Sequence, residues 1–166
     1  FIVHARKAWL KGLSPKENRE VPPLNYQRVY QLKRDFPVLT ILINGGIQSL
    51  AEVQNHLMHT DGVMLGRTAY HEPYRLAELE HALFGTPLPD RMALIRQMRE
   101  YTERHLAEGG KLNHISRHLL GLFQGLPGAR GWRRHLSENA HRDNADWGVV
   151  ERALAPIREP VRVPAA

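Results

Sequence analysis

The feature that most constrains this chain is the run Val38-Leu39-Thr40-Ile41-Leu42-Ile43, which ends abruptly at Asn44-Gly45-Gly46. Six residues that are nearly all apolar, closed by a turn signal, read as a strand covered on both faces. The pattern repeats on either side. Phe1-Ile2-Val3-His4 is a short apolar strand, and Gly62-Val63-Met64-Leu65 is another, closed by Gly66-Arg67. Helical signals fill the gaps. Tyr26, Val29, Tyr30 and Leu32 mark a helix ending near Phe36-Pro37. Ser49 caps one running to about Met58, with Glu52 at the capping-box position, and a third spans about Pro73 to Leu83. Alternation of this kind implies a parallel sheet covered by helices. The fold class is therefore α/β. Three strands are too few to close a barrel, but they suit the last three βα units of an opened (β/α)8, or TIM, barrel. The chain begins as though a strand were already under way, which suggests that a preceding half is missing.

Between the first strand and first helix, residues 5–24 hold Pro15, Pro22, Pro23 and Gly12, a long irregular loop of the kind that often serves function. The tail has another character. Leu94, Ile95, Met98 and Tyr101 recur at helical spacing, as do Leu112, Ile115, Leu119, Leu122 and Phe123. Trp132 with Leu136, then Trp147, Val150 and Leu154, continue the pattern. Breaks fall at Gly109-Gly110, at Gly125-Leu126-Pro127-Gly128 and near Asp143-Asn144. Four helices with short turns predict an all-α helical bundle domain. The organisation expected is a barrel part at 1–85 and a helical domain at 86–166.

Chemistry belongs at the carboxyl ends of the strands, where such sheets carry their sites. That edge would display His4 with Arg6, then Asn44-Gly45-Gly46, then Gly66-Arg67. On an extended strand His4 and Arg6 would share a face. Paired glycines before a helix let backbone N–H groups approach a phosphate, and Arg67 offers a guanidinium for bidentate contact. Simple strand-to-helix turns would use the same glycines; two such turns on successive strands, one with Arg, favour a phosphate site.

Charge points the same way. The formal net charge is +6. Lys7, Lys11, Lys16 and Arg19 stud the long loop, while Lys111, Arg117, Arg130, Arg133, Arg134 and Arg142 face one acid, Glu138. A polyanion surface follows. The chain has no cysteine, so a thiol catalyst or thiolate zinc site is excluded within it. His114 with His118 and His56 with His59 lack the acidic partners of a zinc helix, and no metal is expected. No apolar stretch is long enough to span a membrane. No nucleophile-elbow pattern appears.

Three stretches, in order, carry a resemblance: His4-Ala5-Arg6-Lys7-Ala8-Trp9-Leu10-Lys11-Gly12-Leu13-Ser14-Pro15-Lys16-Glu17-Asn18-Arg19, then Ile43-Asn44-Gly45-Gly46-Ile47, then Asp61-Gly62-Val63-Met64-Leu65-Gly66-Arg67. They resemble the tRNA-dihydrouridine synthases, most closely the A subfamily. Gly121-Leu122-Phe123-Gln124-Gly125-Leu126-Pro127-Gly128-Ala129-Arg130, with Ser137-Glu138-Asn139-Ala140-His141, is similar to that subfamily's helical tail. The resemblance implies the C-terminal half of an FMN-bearing TIM barrel enzyme followed by a helical tRNA-binding domain. It implies an oxidoreductase that uses NADPH to reduce FMN and then reduces D-loop uridines 20 and 20a of tRNA. His4, Asn44, Gly45, Gly46, Gly66 and Arg67 would hold FMN. Lys16, Arg19, Arg130 and Arg133 would grip tRNA. A cytoplasmic enzyme, monomeric when complete, is implied. The family's proton-donating cysteine and flavin-contacting lysine would lie upstream, so no catalytic residue is expected here and the chain alone should be inactive. The alternatives are another FMN- or phosphate-binding barrel, such as a dihydroorotate dehydrogenase-like protein, and a non-catalytic RNA-binding remnant.

Overall fold

A computed structural model describes residues 1–158 of the chain. The described residues divide into two compact units, Phe1–Thr68 and a second from Ala69 onward.

The first unit is α/β. Three strands, β1 (Ile2–His4), β2 (Leu42–Asn44) and β3 (Gly62–Met64), form a parallel sheet in the order β1-β2-β3. Ile2, Val3 and His4 pair with Leu42, Ile43 and Asn44, which in turn pair with Gly62, Val63 and Met64. Helices α1 (Tyr26–Asp35) and α2 (Leu50–Leu57) make the crossovers. Asn25 caps α1 by accepting from the Arg28 N–H. Ser49 and Glu52 form the expected reciprocal capping box on α2. The core gathers Val29 and Tyr30 of α1, Ile41 and Ile43 of the second strand region, and Val53 and His56 of α2. Lys33 spans from α1 to Asp61 at 2.8 Å, and Asp61 also accepts from the Ile41 N–H at 2.8 Å.

The strands differ from the apolar runs that announced them. Pairing begins only at Leu42, and Val38 is 91% exposed. The cause is local: the residues after Pro37 close a turn, with Leu39 N–H donating to Phe36 O at 3.1 Å, before the chain enters the sheet. Burial on both faces is not realised: Ile41 and Ile43, two apart and so on one face, are buried, Leu42 on the other face is only half-buried, and Phe1 and Ile2 of the first run are exposed.

The second unit is helical. Helix α3 (Arg67–His71) leads into it, followed by α4 (Tyr74–Phe84), α5 (Arg91–Ala107), α6 (Asn113–Ser116), α7 (Ala129–Asn139) and α8 (Trp147–Leu154). Its core is built on Ile95, Leu112, Phe123, Trp132, Leu136 and Val150, all essentially fully buried. Phe123 and Trp132 meet edge-to-face with centroids 5.0 Å apart, and Trp132 Nε1 donates to Leu119 O at 3.2 Å. Asp90 and Asp146 cap α5 and α8.

One expected helix is much shorter than its periodicity suggested. The pattern from Leu112 to Phe123 yields only the four residues of α6, and then turns. Beyond it the chain packs closely on another segment, and a Cβ at Gly121 would overlap the His71 carbonyl. Gly125 and Gly128 then take φ +84° and +89°, where other residues are strained. Leu112, Ile115, Leu122 and Phe123 are buried there without a continuous helix.

Candidate functional site

The parallel register assembles the candidate site. Because His4 pairs with Asn44 and Asn44 with Met64, the three strands end level with one another. His4, Asn44-Gly45-Gly46 and Gly66-Arg67 therefore stand along one carboxyl edge, as the strand reading expected.

Each turn is pinned differently. His4 Nδ1 lies 3.1 Å from Asn44 O, and the Ala5 N–H donates to the same carbonyl at 2.7 Å. Asn44 Nδ2 reaches Met64 Sδ at 2.8 Å across the next strand. Gly45 and Gly46 take φ +132° and +70°. A Cβ on Gly45 would fall 2.8 Å from Leu24 Cδ2 and 3.0 Å from His4 Nδ1, and one on Gly46 would fall 2.9 Å from Leu24 Cδ1. Backbone conformation and the seat of Leu24 thus already require glycine at both positions. Tyr26 Oη donates to Gly45 O at 2.7 Å, and Thr68 Oγ1 to Ile47 O at 3.0 Å. Gly66 is different: a Cβ there meets nothing within 4 Å.

His4 and Arg6 do not share a strand face. The chain turns at once after β1, with the Arg6 N–H donating to His4 O at 2.8 Å, and Arg6 then bridges to Leu24. The two side chains nonetheless line one groove of about 420 Å³, with Lys7, Asn25 and Arg28. His4 Nε2 and Arg6 Nε are both buried without a hydrogen-bond partner, a costly state unless something else supplies one. Asn44, Gly45, Gly46, Gly66 and Arg67 do not line that groove.

Arg67, the first residue of α3, places Nη1 3.2 Å from Glu20 Oε1, and the arginine side chain is 60% exposed. The N-terminus of α2 is less available than the sequence suggested. Glu52 accepts from the N–H groups of Gln48 and Ser49 at 2.9 and 2.8 Å, so a carboxylate already occupies that end. These bonds hold its carboxyl below the usual range. An anion at this edge must rest on the glycine turns and Arg67, not on the helix dipole.

Lys16 precedes and Arg19 ends a single 3-10 turn, Glu17–Arg19, and both are exposed. In the other unit Arg130 is exposed on α7, and Arg133 donates to Gln124 Oε1 at 2.8 Å. Among the described residues no group of three or more His, Asp or Glu is arranged to hold a metal ion, and no helix is long and apolar enough to cross a membrane.

Sequence reasoning missed the buried pair of α1 and α2. Tyr30 Oη lies 2.7 Å from His56 Nδ1, and Tyr26 packs on the same ring at 4.4 Å. Only the helical spacing of Tyr26 and Tyr30 against His56 hinted at it.

A family model for dihydrouridine synthases matches residues 1–157. The chain belongs to that family. A Vibrio cholerae protein named tRNA-dihydrouridine(20/20a) synthase is 60% identical over 159 residues, which are 95% of this chain and 49% of the relative. Proteins of the same name from Shewanella oneidensis and Salmonella typhimurium are 61% and 63% identical over 160 and 161 residues, 48% of each relative. The chain therefore spans about half the length of these relatives.

Proposed function

We propose that this chain is part of an FMN-dependent tRNA-dihydrouridine synthase that reduces D-loop uridines 20/20a, with NADPH as the reductant. The observation that carries the reading is the level ending of the three parallel strands, which sets His4, Asn44 and the Gly66-Arg67 turn along one sheet edge. The family and the name of its relatives supply the substrate class. On this reading the three strands are the last three of a TIM barrel, and the helices from α5 onward are the tRNA-binding domain of a cytoplasmic enzyme.

The residues present fit a flavin mononucleotide. The Nε2 of His4 is buried and lacks a partner, as a group awaiting a polar ligand atom would be. Arg67 supplies an exposed guanidinium for the phosphate, beside the glycine turns Gly45-Gly46 and Gly66. Asn44 presents its amide at the strand end between them. When bound, FMN supplies the hydride that reduces the uracil ring. The protein's own residues fix the cofactor and hold the RNA, since a uridine must leave its stack to reach such a site. The family's protonating group is a cysteine, and this stretch has none. The chain by itself is accordingly expected not to turn over tRNA.

The test is FMN titration of the full-length protein and its Arg67→Ala variant. A charge-assisted hydrogen bond is worth about 1.5–3 kcal/mol, so affinity should fall by roughly ten- to a hundredfold. Equal affinities would remove Arg67 from the phosphate site.

A further inference from the structure

The long loop after β1 is tied together by side-chain hydrogen bonds yet exposes its largest apolar side chain. Asn18 organises it: the Trp9 N–H donates to Asn18 Oδ1 at 2.7 Å, and Asn18 Nδ2 donates back to Trp9 O at 3.0 Å. Ser14 and Glu17 close the 3-10 turn reciprocally. The Ser14 N–H donates to Glu17 Oε2 at 2.8 Å, and the Glu17 N–H donates to Ser14 Oγ at 3.3 Å. The loop's return end is fastened to the sheet edge, since Arg6 donates to Pro22 O and Glu20 pairs with Arg67. With the backbone at Trp9 fixed on both its N–H and its carbonyl, the indole is still 44% exposed, and the adjacent Leu10 is 94% exposed.

The surroundings say what kind of surface this is. Lys7, Lys11, Lys16 and Arg19 are all exposed on the same loop, and none forms an ion pair among the described residues. A preorganised aromatic ring among unpaired cations is the arrangement that binds unpaired nucleic acid: cations track the phosphates and the ring offers a face to a base. The ring costs little conformational entropy to offer, because the loop is already ordered.

We propose that Trp9 is the stacking platform for an unpaired base of the RNA, with the loop cations holding the phosphates on either side of it. The inference rests on the reading of this protein as a tRNA-modifying enzyme, and it names the residue that meets a base outside the flavin pocket.

Indole fluorescence gives a readout that a purely structural role would not move. Of the three tryptophans in this chain, Trp132 and Trp147 are 0% and 5% exposed, and Trp9 is the one that meets solvent. In the full-length protein, the difference between wild-type and Trp9→Leu spectra isolates its emission. Addition of unmodified tRNA should quench that emission and shield it from iodide. Trp9→Leu should weaken tRNA binding by about five- to a hundredfold, the range for loss of one stacked base. Trp9→Phe should recover affinity to within about threefold, since it keeps a π face. The salt dependence of binding should keep its slope in both variants, because every phosphate keeps its cation. Wild-type binding with unchanged Trp9 emission, or Trp9→Leu binding within about twofold of wild type, would overturn the proposal. Should Trp9→Leu fail to fold, Trp9→Phe, which also lacks the indole, supplies the difference spectrum, and Trp9 emission that tRNA neither quenches nor shields from iodide overturns the proposal. Failure of the wild-type protein to bind tRNA would overturn the functional reading itself, and is separable from the other outcomes.

Discussion

Glycines that look alike in the sequence are not equivalent in the structure. Gly45 and Gly66 each follow a strand and each precede a helix. Gly45 sits at φ +132° with Leu24 and His4 where a Cβ would go, whereas Gly66 has open space around it and no left-handed backbone. Gly45→Ala is therefore expected to cost about 1–3 kcal/mol from strain and displaced Leu24. Gly66→Ala should change stability by less than about 0.5 kcal/mol. Urea denaturation of the two variants checks this, and equal losses would mean that the turn after β2 relaxes freely. The motif letters were visible in the sequence, but which glycine is compelled depends on Leu24, far back along the chain, folding over the turn. His4 gives the same lesson. Its place at a strand end could be read directly, yet its buried and unpartnered Nε2 appears only when Asn44 O occupies the other ring nitrogen.

The Ser49–Glu52 cap was the most legible local feature, while the caps at Asn25, Asp90 and Asp146 emerged only in the structure. The Ser49–Glu52 box needs only residues three apart, so sequence and structure coincide there. The interface between α1 and α2 was not legible, because it joins residues from separate helices. His56 is 2% exposed, bonded to Tyr30 and packed against Tyr26, with Glu52 and His59 nearby on its own helix and turn. Burial holds its pKa below the ordinary histidine value; Glu52 opposes this and His59 reinforces it. The unfolded chain then takes up the proton first. Stability from this site is complete above about pH 6.5 and diminishes as pH falls from there through the lower folded value. Between about pH 7.5 and about pH 5.5, the melting temperature should fall more steeply for wild type than for His56→Gln. Parallel slopes would show that His56 takes no part in the proton uptake that accompanies unfolding. The shortness of α6 belongs at this scale too. Apolar spacing cannot distinguish a helix from a string of turns with the same burial, and the close approach of Gly121 to His71 is a tertiary fact.

At the scale of the molecule, two basic surfaces serve the proposed RNA binding, one on the loop with Lys16 and Arg19, one on α7 with Arg130 and Arg133. In the full-length protein, Arg130→Ala/Arg133→Ala should weaken tRNA binding and reduce the salt slope by about 0.7–0.9 for each phosphate left without its cation. An unaltered slope would take both arginines out of the interface; Arg133, held by Gln124, is the one whose removal also frees a neighbour. The sequence by itself determined the α/β alternation, the helical tail, the Ser49–Glu52 cap and the family, because these depend on spacing within short windows and on motifs read in order. Tertiary structure alone decided which strand ends stand level, which nitrogens are left without partners, and that a tryptophan in an ordered basic loop faces outward. Those properties come from pairing register and burial, which join residues that lie tens of positions apart and leave no periodic trace in the chain.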